Sequence, residues 1–328
     1  MEKFSLGFGP IIFRRKVGET EYAVNSIPLG GYVKLGGDNL EEYKGASDEY
    51  LSKKPGQRAA IIFFGPLLNY ALGILFFWLV FTIGYPTLTT KVGGVVDGMG
   101  AKDAGILAGD RISSINGEKI DLWEDLQRII QSQKAGNLVK VSLLRGDKEY
   151  SLDVKITAKE FNDLLGKKRS VGLLGVIHGD EIVKVRHGIF KSFSLSLDKT
   201  WEITALTYEG LWRMLTGQLS MRETMTGPIG IFILTSKVKG MGMIALLHLM
   251  ALLSISLAIF NLLPFPALDG GHLALLMLEK IRGRYLSLKV EHILNQIGYT
   301  LIISLAVIVT YNDIIKNFGD KIQKFFGK

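Results

Sequence analysis

Cysteine is absent from the 328-residue sequence. Its absence excludes disulfide bonds, thiolate metal sites and a cysteine nucleophile. The sequence also lacks H-E-x-x-H, and no two of its five histidines are three or four residues apart, the spacing that places two ligands on one helix face. A helix-borne histidine pair for a metal ion is therefore excluded within these 328 residues.

A signal peptide and a nucleic-acid patch are not indicated either. Residues 1–10 are short, rich in glycine and mixed in polarity, which is not typical of a signal peptide. The net charge is +8, but the basic residues are scattered among 31 acidic ones, without interleaved aromatics. We therefore predict no nucleic-acid partner and interpret the basic surplus as charge that flanks membrane segments.

Charge is missing from three long stretches, residues 59–90, 241–268 and 293–312, which contain no Asp, Glu, Lys or Arg. Each reaches the roughly 20 residues that a helix needs to cross a ~30 Å hydrocarbon layer. Together with an apolar content of 48% and a mean hydropathy of +0.25, this pattern argues against a soluble enzyme. It predicts transmembrane helices at 59–85, 241–279 and 293–312, the second of them broken.

The remaining segments have their own patterns. Residues 1–58 alternate apolar and polar residues between glycines and prolines, which predicts a β-rich, membrane-associated region on the cytoplasmic side. Residues 91–157 are charged and mixed, which is typical of a soluble α/β domain. Residues 158–240 are predicted to be a linker and amphipathic juxtamembrane helices, which could lie on the membrane surface or pack on the spans.

The short flanks of the spans predict the topology. Lys53, Lys54 and Arg58 precede the first span, and Lys280 and Arg282 follow the second. Because basic flanks stay in the cytoplasm, both flanks are predicted to be cytoplasmic and the soluble domain to lie outside. The lysine-bearing C-terminal tail fits this rule poorly.

The break in the second span combines polar residues with prolines. Pro264 and Pro266 each remove an amide donor and end the helix after Asn261. Asp269, with no Lys or Arg within eight residues on either side, costs several kcal/mol at membrane depth unless it faces a polar cavity or binds an ion. A functional carboxylate is one interpretation. The other is that Asp269 caps a short helix at 270–279, and Asn261 could likewise be only a helix-ending cap.

The segment Asn261-Leu-Leu-Pro-Phe-Pro-Ala-Leu-Asp-Gly-Gly-His272 resembles the Asn-x-x-Pro-x-Pro-x-Leu-Asp-Gly signature of site-2 intramembrane zinc metalloproteases, of the bacterial regulator of sigma-E protease type. Further segments resemble the family in the same order, so that the resemblance covers essentially the whole chain: Phe4–Gly9, Ile27–Lys34, Gly56–Ala60, Gly65–Asn69, Thr226–Gly230 and Leu278–Gly283. Residues 91–157 resemble a single PDZ domain.

The resemblance implies a polytopic α-helical membrane protein with a membrane-associated β-hairpin region and one extracytoplasmic PDZ-like α/β domain, in the bacterial inner membrane. It implies zinc as cofactor, with Asp269 as a ligand and Asn261 in contact with the oxyanion or the substrate backbone. The implied substrate contacts are Gly7, Phe8, Gly9, Asn69, Pro264 and Pro266, and the implied peptide groove of the PDZ-like domain lies beside Gly94, Val95 and Val96. For Gly7 and Gly9, the alternative from the residues alone is that they only build tight turns.

One feature departs from the family pattern. The family carries H-E-x-x-H in a helix before the segment that resembles Glu2–Pro10, and this sequence begins after that point. We therefore expect the sequence to be truncated at its N-terminus and the chain alone to be inactive. The cause of such a truncation stays open.

Two functions follow from these patterns. The first is an intramembrane zinc metalloprotease that carries out regulated intramembrane proteolysis of membrane-spanning regulators such as anti-sigma factors. The second is a catalytically inactive membrane adaptor, whose PDZ-like domain and hairpin bind a peptide or a chain terminus without cutting it.

Overall fold

The computed structural model describes residues 1–38, 42–134, 136–162, 168–220, 224–283 and 288–326. The chain divides into two compact units. The first comprises Met1–Ala71 and Ser254–Tyr311, and the second comprises Leu72–Leu253 and Asn312–Lys328.

The first unit opens with a β-hairpin of two 15-residue strands, β1 (Lys3–Val17) and β2 (Thr20–Lys34). The first residues of β1 have partners on both sides, since Phe4 lies opposite Tyr22 and also opposite Val33. The hairpin exposes many large apolar side chains, among them Ile12 at 70% and Phe13 at 60%. Such a surface fits lipid better than water.

Three helices are long and apolar enough to cross a membrane by length and composition. They are α1 (Pro55–Ile83), α6 (Met243–Asn261) and the part Ile293–Phe318 of α8 (Leu288–Phe326). The prediction of three apolar spans is thus matched by three such helices. Pro66 lies within α1, and α6 ends at Asn261, before the two prolines.

The loop after α6 leads into α7 (Asp269–Arg282). The predicted helix at 270–279 begins one residue earlier than expected, so Asp269 is its first residue and Leu268 is its N-cap. No side-chain capping hydrogen bond is made at this end. The helix also runs further than predicted, because it stops only at Gly283, whose φ of 67° lies in the left-handed region that glycine tolerates.

The α/β part of the second unit is built on a four-stranded sheet with the order β6-β5-β7-β8. Its strands are β5 (Arg111–Ile115), β6 (Glu118–Lys119), β7 (Leu138–Arg145) and β8 (Lys148–Lys155). Two helices lie within this region, α2 (Gly100–Asp103) and α3 (Trp123–Ser132). Alternate residues of β7 (Val139, Val141 and Leu143) point inward and are at most 1% exposed, which forms the centre of the core.

The α/β region extends beyond residue 157, where the sequence predicted its end. Three two-stranded pairs complete it: β3 (Tyr85–Leu88) with β12 (Ile182–Val185), β4 (Val92–Val95) with β11 (Val176–His178), and β9 (Thr157–Asn162) with β10 (Lys168–Leu173). Leu174 also belongs to the core cluster. The pairings of β3 and β4 join residues more than 80 positions apart, which local sequence patterns do not reveal.

Two helices follow the α/β region, α4 (Ile189–Leu215) and α5 (Pro228–Lys239). The N-terminus of α5 has no capping side chain of its own. The buried carboxylate of Asp313, from α8, accepts hydrogen bonds from the amides of Gly227 at 3.2 Å and Gly230 at 2.7 Å. An acid from the end of the third span thus satisfies amides that would otherwise be orphaned.

Candidate active site around Asp269

Asp269 lies against a glycine of the first span. A Cβ added to Gly65 of α1 would meet the Asp269 Oδ2 atom at 3.3 Å. The carboxyl group is half-buried, and no hydrogen-bond partner is found for it among the residues that the structure describes. A half-buried carboxyl group without a hydrogen bond among the described residues is a candidate to bind a ligand. As an acidic residue in the first turn of α7, Asp269 also interacts favourably with the helix dipole.

The turn that carries Asp269 is packed backbone to backbone. A Cβ at Gly270 would lie 2.3 Å from the carbonyl oxygen of Leu263, and one at Gly298 of α8 would lie 2.3 Å from that of Pro266. A side chain at either position would displace the loop between α6 and α7. The two glycines therefore fix the direction in which Asp269 leaves this loop.

Backbone strain marks the same loop. Ala267 has a φ of 73°, in the left-handed region, where non-glycine residues are uncommon. Such a conformation costs on the order of 1–2 kcal/mol per residue and persists only when its surroundings impose it. Here it lies between Pro266 and the N-cap residue Leu268.

A cavity of about 950 Å³ opens beside Asp269. Its polar lining from the helices comprises Arg58, Asp269, His272 and Glu279, and its strand lining includes Phe4, Ser5, Leu6, Gly31, Tyr32 and Val33. His272 follows Asp269 by three residues on α7, so both side chains lie on one helix face. The cavity therefore joins a carboxylate, an imidazole and a strand edge.

One wall of the cavity is held by a buried ion pair. The guanidinium of Arg58 in α1 donates a hydrogen bond to Glu279 in α7. The Arg58 side chain is 3% exposed and that of Glu279 is 12% exposed. The pair thus joins the beginning of α1 to α7 beside Asp269.

The predicted substrate residues Gly7, Phe8 and Gly9 lie within β1. Gly7 and Gly9 have φ values of 82° and 83°, where the pairing of β1 with β2 changes register. Phe8 stacks on Tyr32 with ring centroids 6.1 Å apart, and Tyr32 lines the cavity. Phe8 therefore connects to the cavity through Tyr32.

The other predicted residues lie elsewhere in the same unit. Asn261 ends α6, and Pro264 and Pro266 form the loop, but none of the three is among the residues that line the cavity. Asn69 lies in α1, one helical turn after Gly65, and is also outside the lining. Gly65, Arg58, His272 and Glu279 line the same cavity as Asp269. All four lie in segments that resemble the family, but the sequence predicted none of them as a site residue.

The described residues do not make a complete zinc site. No group of three or more His, Cys, Asp or Glu side chains able to hold a metal is found among them. Structural and catalytic zinc sites use at least three protein ligands. Asp269 could supply one carboxylate oxygen, and His272 is the nearest imidazole along the chain. These two candidate ligands are fewer than the three that zinc needs.

The predicted peptide groove of the α/β domain has one edge already occupied. Val95 and Gly94 of β4 pair with Val176 and Ile177 of β11, and the amide of Val96 donates to the carbonyl of Gly175 at 2.8 Å. A shallow depression of about 600 Å³ lies here, and Gly94 is part of its lining. The ring of His178 at the end of β11 packs edge-on against Trp123 of α3.

The sequence matches Peptidase family M50 over residues 1–305. It is 27% identical to the zinc metalloprotease RasP of Oceanobacillus iheyensis, over 97% of this chain and 92% of that protein. It is 27% identical to the regulator of sigma E protease of Haemophilus influenzae, over 96% of this chain and 92% of that protein. A candidate zinc metalloprotease of Agrobacterium fabrum is 32% identical over 96% of this chain and 88% of its own length.

Among solved structures, the PDZ domain of the SdrC-like protein from Listeria monocytogenes is 30% identical. The alignment covers 29% of this chain and 90% of that chain, with a TM-score of 0.23.

Proposed function

Because the chain belongs to peptidase family M50, the site-2 proteases, we propose that it acts as an intramembrane zinc metalloprotease in regulated intramembrane proteolysis. The observation that carries this proposal is Asp269, a half-buried carboxyl group without a hydrogen-bond partner in the described part of the chain, at a break between apolar helices. The proposed substrates are membrane-anchored regulators such as anti-sigma factors.

In this proposal Asp269 is one zinc ligand, and zinc, when bound, supplies an activated water for peptide hydrolysis. The described residues do not complete the ligand set, so we assign no catalytic step through the metal. We expect the 328-residue chain alone to bind zinc weakly. Stoichiometric zinc in purified, chelator-washed protein, measured by elemental analysis, would contradict this expectation.

The hairpin would present the substrate. The segment Gly31–Lys34 of β2 pairs on one side with Lys3–Leu6, and no described strand pairs with its other side. Gly31, Tyr32 and Val33 also line the Asp269 cavity. Hydrolysis needs an extended peptide, and strand addition to an open edge is a physical way to hold one. Asn261, at the end of α6, would donate its amide to the substrate backbone.

The direct test is Asp269→Asn in a chain joined, ahead of Glu2, to an H-E-x-x-H helix of the family. The neutral amide oxygen binds zinc far more weakly than a carboxylate does. We expect cleavage of a model transmembrane substrate to fall at least 100-fold at equal protein level. Asp147→Asn, in the β7–β8 turn, is the matched control and should cleave normally. Cleavage by the Asp269→Asn variant above a tenth of the parent rate would refute the ligand assignment.

A second candidate, a catalytically inactive adaptor, is favoured by the incomplete donor set of the described residues. It predicts that substrate binds at the β2 edge and is not cut. Site-specific photo-crosslinking from Tyr32 separates the two functions. Crosslinking without cleavage, in zinc-supplemented membranes and with the helix joined, supports the adaptor.

The proposed location is the bacterial inner membrane with the PDZ-like domain on the extracytoplasmic side, where it would bind a peptide or a chain terminus. The absence of cysteine makes the test clean. Cysteine at Asp147 should react with an impermeant thiol reagent added to intact cells, and cysteine at Arg282 should not. The reverse pattern would overturn this topology.

A further inference from the structure

A second cavity, of about 1030 Å³, lies within the second unit, and no described residue lines both this cavity and the one beside Asp269. We call it the α4 cavity, because α4 forms one wall with Lys191, Leu195 and Asp198 among its lining residues. The other walls come from the end of α1, from α3, from α5 and from the first half of α6. A cavity of this size can enclose much of a small amphiphilic molecule.

The wall that the two candidate spans contribute is mainly apolar. Val80 belongs to the last turn of α1, and Ile244, Leu249 and Leu252 belong to α6. Val80 is 1% exposed and Leu249 is 5% exposed. His248 is the one polar side chain that the described part of the spans adds to this wall. Such a wall offers favourable contact to a hydrocarbon chain.

The wall that α4 contributes carries charges of both signs. Lys191, Asp198, Lys199 and Glu202 all line the cavity. Lys199 pairs with Glu202 at 2.9 Å, whereas Lys191 and Asp198 form no ion pair with any described residue. These two residues are seven positions apart, which places them two turns and about 10.5 Å apart on one face of the helix. A ligand with both an anionic and a cationic group would satisfy both.

The wall that α3 contributes is also charged, but its charges already have partners. Glu124 accepts a hydrogen bond from the Thr87 hydroxyl at 3.3 Å. Arg128 donates to the Asp125 carboxylate at 3.2 Å. Among the described charged residues of the lining, the two unpaired ones on α4 are therefore those that a ligand can engage without breaking an existing contact.

Ring contacts hold the walls in place. His248 of α6 packs edge-on against Phe77 of α1 at 5.2 Å between centroids, and Phe81 packs edge-on against Tyr85 at 5.4 Å. Tyr85 in turn lies 6.3 Å from the ring of His187, whose amide donates to the carbonyl of Phe81 at 3.1 Å. Because α1, α6 and the segment that enters α4 are joined in this way, the cavity is formed before any ligand binds.

The backbone around the cavity is not suited to hold an extended peptide. Tyr85 and Pro86 are the lining residues that come from a described strand. Pro86 has no amide donor, and Tyr85 lies opposite Val185 of β12. An extended peptide is held by hydrogen bonds to an open strand edge. The lining instead favours a ligand that is recognised by its charges and by apolar contact.

We propose that the α4 cavity binds one phospholipid whose headgroup carries a phosphate and a primary ammonium, that is, phosphatidylethanolamine. Lys191 donates to the phosphate, the ammonium donates to Asp198, and an acyl chain lies along the wall formed by α1 and α6. A lipid with only negative charge fits less well, because its headgroup brings an anion toward Asp198 and leaves this carboxylate without a donor. The proposal does not depend on catalysis.

Native mass spectrometry of the whole chain, purified in detergent and freed of lipid, gives a direct test. Phosphatidylethanolamine, phosphatidylcholine and phosphatidylglycerol with the same acyl chains are added in separate titrations. We expect one molecule of phosphatidylethanolamine to bind about tenfold more tightly than either of the others, since the quaternary ammonium of phosphatidylcholine cannot donate and phosphatidylglycerol has no cation. Equal affinities for the three lipids, or tighter binding of phosphatidylglycerol, would overturn the proposal.

Two variants of α4 test the assigned contacts. Asp198→Asn should bring the affinities for phosphatidylethanolamine and phosphatidylcholine within about twofold of each other, because a neutral amide is the weaker acceptor. Leu195→Trp fills the space between Lys191 and Asp198 and should abolish binding of all three lipids. Leu206→Trp, on the same helix but outside the lining and 41% exposed, is the matched control and should bind as the parent does.

An unchanged lipid preference in Asp198→Asn would contradict the proposal, and so would normal binding in Leu195→Trp. If Leu195→Trp does not fold, Asp198→Asn decides, since it changes only an exposed side chain.

A soluble headgroup distinguishes a lipid site from a site for a free phosphate compound. Glycerophosphoethanolamine lacks the acyl chains, whose burial supplies most of the affinity, so we expect it to bind at least about 100-fold more weakly than the lipid. Equal binding of this headgroup would overturn the assignment to a lipid. Binding of none of the three lipids, as when a peptide or another protein segment occupies the cavity, would overturn it as well.

Discussion

The hairpin of the first unit and the α/β domain of the second unit distribute their side chains in opposite ways. The α/β domain buries Ile112, Leu143 and their aliphatic neighbours completely. The hairpin exposes Ile12 and Phe13 and buries Ser5 and Asn25. We propose that the hairpin faces lipid, because one rule, that a side chain faces the solvent that resembles it, then accounts for both arrangements.

The largest loss of stability is expected from a change to the buried ion pair of the first unit, Arg58 and Glu279. Arg58→Ala leaves Glu279 buried without its partner, which costs about 3–5 kcal/mol. We expect the variant to unfold at a clearly lower temperature in detergent, as measured by scanning fluorimetry. The double variant Arg58→Gln and Glu279→Gln removes both charges and should recover most of the loss. Equal melting of the single variant and the parent would show that the pair is not buried in solution.

A smaller but similar loss is expected in the α/β core. Leu143→Ala removes a fully buried side chain and should cost about 2–5 kcal/mol. The amides of β5 and β7 should therefore exchange their hydrogens faster in the variant than in the parent, as measured in the whole protein. The matched control is Leu144→Ala on the same strand, which is 38% exposed and should cost less. Similar exchange in both variants would refute the core assignment.

The α/β domain should also respond to acid through Asp110. Arg145 donates two hydrogen bonds at 2.8 Å to the carboxylate, which is 1% exposed, and thereby lowers the pKa of Asp110 despite its burial. A lowered pKa in the folded state stabilises the fold above the unfolded pKa of ~4, and this contribution disappears as the pH falls through the folded value.

Asp110→Asn should therefore cost about 1–2 kcal/mol at neutral pH, since Arg145 is partly exposed and the pair is partly screened. The variant should lose less stability than the parent between pH 5 and pH 2. Hydrogen exchange of β5 across this range measures the difference. A parallel acid response in both proteins would show that Asp110 does not cause it.

The smallest change in stability is expected from a substitution on the surface of the hairpin. Ile12→Ala in detergent or bilayer should change stability by less than ~0.5 kcal/mol, because the side chain leaves one apolar environment for another. Ile112→Ala in the α/β core is the water-side counterpart and should cost several times more. A loss at Ile12 as large as that at Ile112 would mean that protein, not lipid, covers the hairpin.

The sequence predicted what local patterns encode. The uncharged runs coincide with three described helices that are long and apolar enough to cross a membrane, and Pro264 and Pro266 located the break that precedes Asp269. It could not predict the Arg58–Glu279 pair, which joins residues 221 positions apart, or the pairing of β4 with β11. The sequence could not decide whether Asp269 is the N-cap of its helix. A shift of the helix start by one residue makes Leu268 the N-cap and Asp269 the first helical residue.

The hydrogen bonds between Asp313 and the start of α5 can form only after residue 313 has been synthesised. The acceptor lies 86 residues after the first donor, Gly227. At ~5–20 residues per second, a ribosome needs about 4–17 s to reach it after Gly227 has been made. Until then the amides of Gly227 and Gly230 lack their acceptor, so the lasting attachment of α5 has to wait until the third apolar helix has been made.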